Sequence, residues 1–326
     1  MAVSGTVSQT VFNTRKIIDH AFRKCRLPPE GVGGEQMVTA QETLYLLLSA
    51  LANRGLQLWC IEKLILPLQT GNAEVPLGNG IVDALNTNYR TVEAQTGVVT
   101  STTTTYTVQF SSATAISTVG VLSGTFAAST VIIQTSNNGT TWTIAKAFPA
   151  TANKWAWTDI DVPVTALYMR ISGLSSQTTP VQVVFGNTPN EIPMARLNRD
   201  SYSNLPNKTF QGKPLQFWLD RTLDEPIMYV WPVPSTSTAI AQVTTYVKRY
   251  IMDVGTLTQE IEVPQRWYEA IVYQLAARFA EELPQVDPAM IPIIDQKAMR
   301  ALNEAEMEER DNSPIYFTPN IAVYTR

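Results

Sequence analysis

Between Arg90 and Glu191 the chain is nearly empty of charge: Glu93, Lys146, Lys154, Asp159, Asp161 and Arg170 are its charged side chains, and Tyr106 and Tyr168 add only phenols. The same stretch is dense in Thr, Ser and Val, which suit pleated, half-buried surfaces. On either side the pattern is charged and helical in period. One uniformly patterned domain cannot have this layout. It predicts an all-β module set inside a host whose two halves are separated in sequence, and therefore a structural or binding protein rather than a one-domain enzyme.

The 326 residues suffice for about two domains of ~100–200 residues each. A net charge of -4 predicts no broad basic surface, so phosphate-driven attachment to free nucleic acid is not expected. Any DNA contact would be transient or imposed by geometry. Cys25 and Cys60 fall in apolar helical patterns and are expected as reduced, buried thiols. Residues 1–12 lack the basic start and apolar core of a secretory signal, and the apolar run Leu44–Leu51 is too short to span a bilayer. The expectation is synthesis and folding in a cytoplasm, with no membrane partner.

The first helix is read over 11–26, where Ile17, Ile18, Ala21, Phe22 and Cys25 recur at spacings of three and four. After the breakers Pro28 to Gly34, Thr39 and Glu42 form a capping box that predicts a second helix starting at Thr39 and running to Gly55. Residues 56–90 read as extended. In the insert the strand candidates are Thr107–Phe110, Thr118–Leu122, Val131–Thr135, Thr141–Ile144, Ala166–Ile171 and Pro180–Phe185. Asn137-Asn138-Gly139 is the sharpest hairpin signal, because Asn and Gly tolerate positive φ. Short strands at this spacing predict a sandwich.

Host strands then follow at Leu215–Leu219, Ile227–Trp231 and Ala239–Tyr250. Pro264 opens a helix with the stripe Trp267, Ile271, Leu275 and Phe279, and Asp287-Pro288 opens another. The acidic end of that last helix, Glu304–Asp311, reads as solvated or docked on another chain. Beyond it, Ser313–Arg326 reads as an extended interaction arm. The fold class is α+β: a helical host domain with a small β region plus an inserted all-β, jelly-roll-like sandwich.

Chemistry-bearing motifs are scarce. The single histidine, His20, and two separated cysteines cannot supply the three or four ligands of a metal site. No glycine-rich phosphate loop, HExxH or GxSxG stretch occurs, and no carboxylate pair stands out for glycoside hydrolysis. No catalytic, metal or cofactor residue is assigned. Trp142 is expected in the sandwich core, while Trp155 and Trp157, alternating beside Lys154, are the candidates for stacking on sugar faces. Trp218, Tyr229 and Trp231 are expected in the host core.

Two resemblances rest on these segments. The host resembles the tail adaptor proteins of short-tailed bacteriophages, also called head-to-tail connector or packaged-DNA-stabilisation proteins. The segments that carry it are LLLSALANRGLQLWCIEKLILPLQTGNAEVPLG, RLNRDSYSNLPNKTFQGKPLQFWLDR, EPIMYVWPVP, YVKRYIMDV and EVPQRWYEAIVYQLAARFAEEL, with Trp231-Pro232-Val233-Pro234 and Pro264…Trp267 in the family's order. The insert resembles a discoidin-like, galactose-binding-like sandwich through VIIQTSNNGTTWTIAKAF and WTDIDVPVTALYMRISG.

The first resemblance implies a dodecameric ring at the virion tail vertex, binding the portal protein above and tail nozzle or tail fibre proteins below, with transient contact to phage DNA in its channel. It implies a portal-binding arm at Pro314, Tyr316, Phe317 and Tyr324, and channel-facing basic residues among Arg196, Arg199, Lys208 and Arg221. No cofactor is implied. The corresponding domains are 1–90 and 191–312 for the host, 91–190 for the insert and 313–326 for the arm. The alternative is a carbohydrate- or receptor-binding tail protein that works through the sandwich.

Overall fold

A computed structural model of the protein describes residues 12–28, 32–54, 58–102, 104–124, 129–173, 182–188, 190–222, 225–235, 241–252 and 255–309. The chain divides into two compact units, one from residues up to Ile61 together with those from Tyr250 onward, the other from Glu62–Arg249. The class is α+β.

The first unit is helical. Helix α1 (Thr14–Lys24) starts where the Asn13 side chain accepts the Lys16 amide. Helix α2 (Gly34–Arg54) begins five residues before the expected Thr39. Its reach-back acceptor is Gln36, which takes the Gly33 amide at 3.2 Å. Thr39 instead donates its hydroxyl to the Glu35 carbonyl within the helix. Thr39 has a capping side chain but lies one turn too late, because Gly33 takes the cap position and Gln36, at the third position, accepts its amide.

The remaining helices of this unit, α4 (Tyr268–Glu282) and α5 (Ile291–Glu308), follow Pro264 and Asp287-Pro288 as the sequence predicts. Their apolar stripes meet in one core of Ile17, Phe22, Leu44, Leu47, Trp267, Leu275, Phe279 and Leu302. Phe22 stacks on Phe279 at 4.7 Å. Cys25 and Cys60 are buried and form no disulfide, and burial pushes the Cys25 thiol up to about 11.

The acidic end of α5 is not simply solvated. Glu309 is buried and accepts from Arg266, from the Trp267 indole and from the Leu58 amide. A carboxylate with that many donors is more stable inside than its sequence neighbours suggest.

The second unit is built from strands. In chain order they are β1 (Ile61–Pro67), β2 (Glu74–Pro76), β3 (Ile81–Thr91), β4 (Glu93–Ala94), β5 (Val98–Ser101), β6 (Tyr106–Leu122), β7 (Ser129–Ser136), β8 (Thr143–Ala150), β9 (Trp155–Ser172), β10 (Gln182–Asn187), β11 (Glu191–Pro193), β12 (Ala195–Arg196), β13 (Gln211–Gly212), β14 (Gln216–Asp220), β15 (Ile227–Trp231), β16 (Val233–Pro234) and β17 (Ala241–Arg249). A short helix, α3 (Arg199–Ser203), precedes β13.

The host sheets run β1-β17-β3-β11 and β12-β14-β15-β2, with β13 beside β16. Their shared core holds Leu68, Phe217, Met228, Val230 and Val243. Glu191 of β11 pairs with Arg90 of β3, so the chain leaves for the insert and returns at adjacent positions.

The insert is an all-β sandwich with its own core of Val108, Phe110, Ile116, Val121, Ile133, Met169, Ile171 and Phe185. Its strands run β4-β10-β6-β9-β7-β8, with β5 also on β6. Thr107–Phe110 and Thr118–Leu122, read as two strands, are parts of one strand β6. The polar residues between them form no turn. They sit where the β6–β9 register jumps from Gln109 to Thr114 and again from Ile116 to Thr118. Such bulges bend a strand without ending it, and both halves of β6 thereby reach one core.

At the tip of β7 and β8 the hairpin forms as expected: Asn138 accepts the Thr140 and Thr141 amides, Ser136 accepts that of Gly139, and Gly139 takes φ +72°.

Candidate functional site

Along β9 the side chains alternate. Ala156, Thr158 and Ile160 turn toward the sandwich interior, and Trp155, Trp157 and Asp159 turn outward. Gly120 of β6 lies directly opposite Trp157, and Leu122 opposite Trp155. A Cβ on Gly120 would stand 2.5 Å from the Trp157 ring, so the indole lies flat on bare backbone. Trp155 then stacks on Trp157 at 5.3 Å between centroids and 21° between planes. Both rings are half-buried, and the Trp157 Nε1 is buried without a hydrogen-bond partner among the described residues. The arrangement is a two-ring platform seated on a glycine. Of the candidates named from sequence, Trp155 and Trp157 are brought together.

Gly120→Ala tests that seat. Elsewhere in a strand the change would be favourable by about 0.5–1 kcal/mol. Here the added methyl must displace an aromatic ring, and the expected cost is about 1–3 kcal/mol. The near-ultraviolet circular dichroism of the coupled indoles should collapse with it; an unaltered spectrum and melting curve would show that the platform does not need the glycine.

Next on the same outward row is Asp159. Arg90 donates to it at 2.8 and 3.1 Å and Lys63 at 2.6 Å. Burial alone would raise this carboxyl, but the hydrogen bonds and charges of Arg90 and Lys63 outweigh it and bring it to about 2. Arg90 is itself only 1% exposed and also binds Gln242 and Glu191. Lys146 closes the row by donating to the Asp159 carbonyl and to Asp161. Neither Arg90 nor Asp159 was singled out from sequence. The available signal was their isolation: a charge within a charge-poor strand needs a partner.

Trp142 is not in the core. The Arg170 guanidinium covers its ring at 4.0 Å, and Gln134 accepts from both Arg170 and Ser172. This cation–aromatic pair pins the hairpin to β9. The host aromatics are also displaced from expectation. Phe217, Leu219, Met228 and Val230 take the core face, which leaves Trp218, Tyr229 and Trp231 on the other. There Trp218 stacks on Tyr202 and on Tyr229, each at 5.1 Å.

Of the basic candidates, Arg196 and Arg221 both close on Asp83, at 2.7 and 2.8 Å. Burial would raise the Asp83 carboxyl, yet these guanidiniums hold it below its usual value. Arg199 is exposed at the start of α3, and Lys208 stands 5.4 Å over the Tyr202 ring. Pro314, Tyr316, Phe317 and Tyr324 lie outside the described residues. Among the described residues, no group of three or more His, Cys, Asp and Glu side chains could hold a metal, and no helix is long and apolar enough to cross a membrane.

No protein-family model matches this sequence, and no curated protein matches it. Among solved structures it is similar to a CBM32 module of Clostridium perfringens in complex with GalNAc-beta-1,3-galactose, at 8% identity and TM-score 0.23 over 26% of this chain and 65% of that one. The chain thus spans about two thirds of that structure's length. It is similar to the family 32 CBM of C. perfringens NanJ in complex with galactose, at 12% identity and TM-score 0.23 over 40% of this chain and 95% of that one. It is also similar to the CBM32 of AlyQ in complex with 4,5-unsaturated mannuronic acid, at 20% identity and TM-score 0.22 over 29% and 74% of the two chains.

Proposed function

We propose that this chain is a binding protein whose sandwich takes carbohydrate on the Trp155–Trp157 platform, while the α+β host anchors it in a larger assembly. The observation that carries the reading is the paired indoles, stacked at 5.3 Å, half-exposed and backed by Gly120. A flat apolar ring beside polar strand residues suits the apolar face of a sugar, and aromatic stacking adds about 0.5–1.5 kcal/mol beyond area burial. The full chain titrated calorimetrically against galactose-containing and uronic-acid-containing oligosaccharides is expected to bind at least one saturably. Trp155→Ala should weaken that binding about tenfold or more, a loss of roughly 1.4 kcal/mol, with little change in melting temperature. Absence of binding to every sugar, or an unaffected Trp155→Ala, would remove the reading.

A second reading concerns the host: an adaptor ring between portal and tail of a bacteriophage, extending the DNA channel. What favours it is that α2 and α4, which carry parts of two of the resembling segments and come from opposite ends of the chain, fold into one helical unit, with Trp267 of the proline-headed segment in its core. The two readings are compatible, since the insert could present sugar-binding surfaces from a ring. In the ring the expected partners are the portal protein, tail nozzle or tail fibre proteins, and DNA in passage. Imaging of the virion vertex separates them: a twelvefold collar at the portal supports the adaptor, and a peripheral trimeric fibre supports a receptor binder alone.

A further inference from the structure

Far along β9 from the tryptophan platform, a guanidinium stands without a carboxylate. Met169 and Ile171 are buried in the sandwich core, so Tyr168, Arg170 and Ser172 face outward. Thr107 of β6 and Gln134 of β7 flank Arg170 on its two sides, each directly opposite it in register. Gln134 accepts the Arg170 Nε at 2.8 Å and the Ser172 hydroxyl at 3.1 Å, and the guanidinium lies over the Trp142 ring at 4.0 Å. One edge and one face of the group are thereby fixed. Among the described residues, its two Nη nitrogens donate to no partner. The carboxylates of the insert are engaged or placed elsewhere: Asp159 pairs with Arg90 and Lys63, Asp161 with Lys146, and Glu93 lies on β4.

We propose that Arg170 anchors a second binding site on the sandwich, one that takes a sugar acid by its carboxylate. A fixed guanidinium with both Nη nitrogens open presents two parallel N–H donors, the fork that a planar carboxylate fills with two hydrogen bonds. One isolated positive charge suits a singly charged group. A nucleic-acid backbone would need a row of cations, and the charge-poor insert supplies no such row. Thr107, Tyr168, Ser172 and Gln134 border the guanidinium, opposite it in register or two residues along β9. Their hydroxyls and amide both give and accept hydrogen bonds, as the hydroxyls of a sugar require. The Gln134 bond and the Trp142 contact hold the guanidinium before any ligand arrives, so little side-chain freedom remains to be lost on binding. The inference rests on the reading of the sandwich as a carbohydrate binder and gives it a ligand class, at a site separate from Trp155 and Trp157.

The test is calorimetric, on the full chain. Trigalacturonate should bind with a dissociation constant of about 1 mM or tighter. Its methyl ester keeps the sugar and loses the charge, and should bind about tenfold more weakly or worse. Acetylglycine, a carboxylate without a sugar, should be weaker by about the same factor; equal binding would show that any carboxylate fills the site, and the sugar assignment would fall. Thr107→Glu sets a carboxylate directly opposite Arg170, where opposite charges attract, and leaves Trp142 and Gln134 in place. Trigalacturonate binding should drop about tenfold or more in this variant, with the melting temperature unchanged or raised. Arg170→Lys keeps the charge but not the fork and should weaken binding likewise. Trp155→Ala should leave it intact. No binding of the acid, equal binding of acid and ester, or a Thr107→Glu variant that binds like the parent protein would overturn the proposal. Uronate binding lost in Trp155→Ala and kept in Thr107→Glu would belong to the tryptophan platform, which ends this inference and leaves the carbohydrate reading standing.

Discussion

Asp159→Ala should lower the stability of the β unit by about 3 kcal/mol, the low end of the cost of breaking a buried ion pair. Arg90 is 1% exposed, and the substitution leaves its guanidinium with Glu191 and the Gln242 side chain but without its closest carboxylate. The reverse change, Arg90→Met, should cost less. Asp159 and Glu191 are 26% and 36% exposed and can take up water, and a methionine of similar volume fills the space without a charge to satisfy.

The acid dependence follows from the same pair. The folded-state value of Asp159 lies at about 2, below its unfolded value. Its contribution is therefore complete above the unfolded carboxylate range near 3.9 and is lost as pH falls through about 2. That displacement corresponds to roughly 2 kcal/mol. Urea titrations at successive pH values should show the parent protein losing about this much more than Asp159→Ala on acidification. Parallel pH profiles for the two proteins would mean that the Arg90 contact carries no stability.

Arg266→Ala should destabilise the helical unit by about 3–5 kcal/mol. Among the described residues it leaves the fully buried Glu309 carboxylate with the Trp267 indole and the Leu58 amide as donors. Glu309→Ala removes the charge but strands those two donors, at about 1–3 kcal/mol each. Glu309→Gln keeps an acceptor and should recover part of the loss. Thermal melts followed by far-ultraviolet circular dichroism rank the three. If Arg266→Ala melts with the parent protein, the carboxylate is stabilised by other means and the account of this helix end is wrong.

Glu309 also marks where reading by period stops working. Its neighbours Glu304, Glu306 and Glu308 point to a charged helix face, and nothing local distinguishes the one carboxylate that turns inward. What decides it is a guanidinium 43 residues earlier in the chain. Asp159 and Arg90 are separated by 69 residues and raise the same difficulty.

The strands show a second limit. Alternation identifies two faces of β14 and β15 but not which one is the core. Aromatic size argued for Trp218, Tyr229 and Trp231, and packing against β17 and β3 selected Phe217, Met228 and Val230 instead. Likewise the polar run between Thr107–Phe110 and Thr118–Leu122 looks like a turn, and only pairing with β9 shows that β6 passes through it as a bulge.

The sequence by itself determined what depends on near neighbours: the stripes of α1 and α4, the starts at Pro264 and Asp287, the Asn-Gly hairpin, and the charge-poor insert with its all-β pattern. These follow from backbone preference and from apolar residues recurring within a few turns. The tertiary structure alone decided which face of each strand is buried, that Gly120 seats Trp157 beneath Trp155, and that Arg90 and Glu309 find partners far along the chain. Those outcomes depend on contacts between distant segments, whose free energy is set by geometry once the chain has closed, and no local pattern records it.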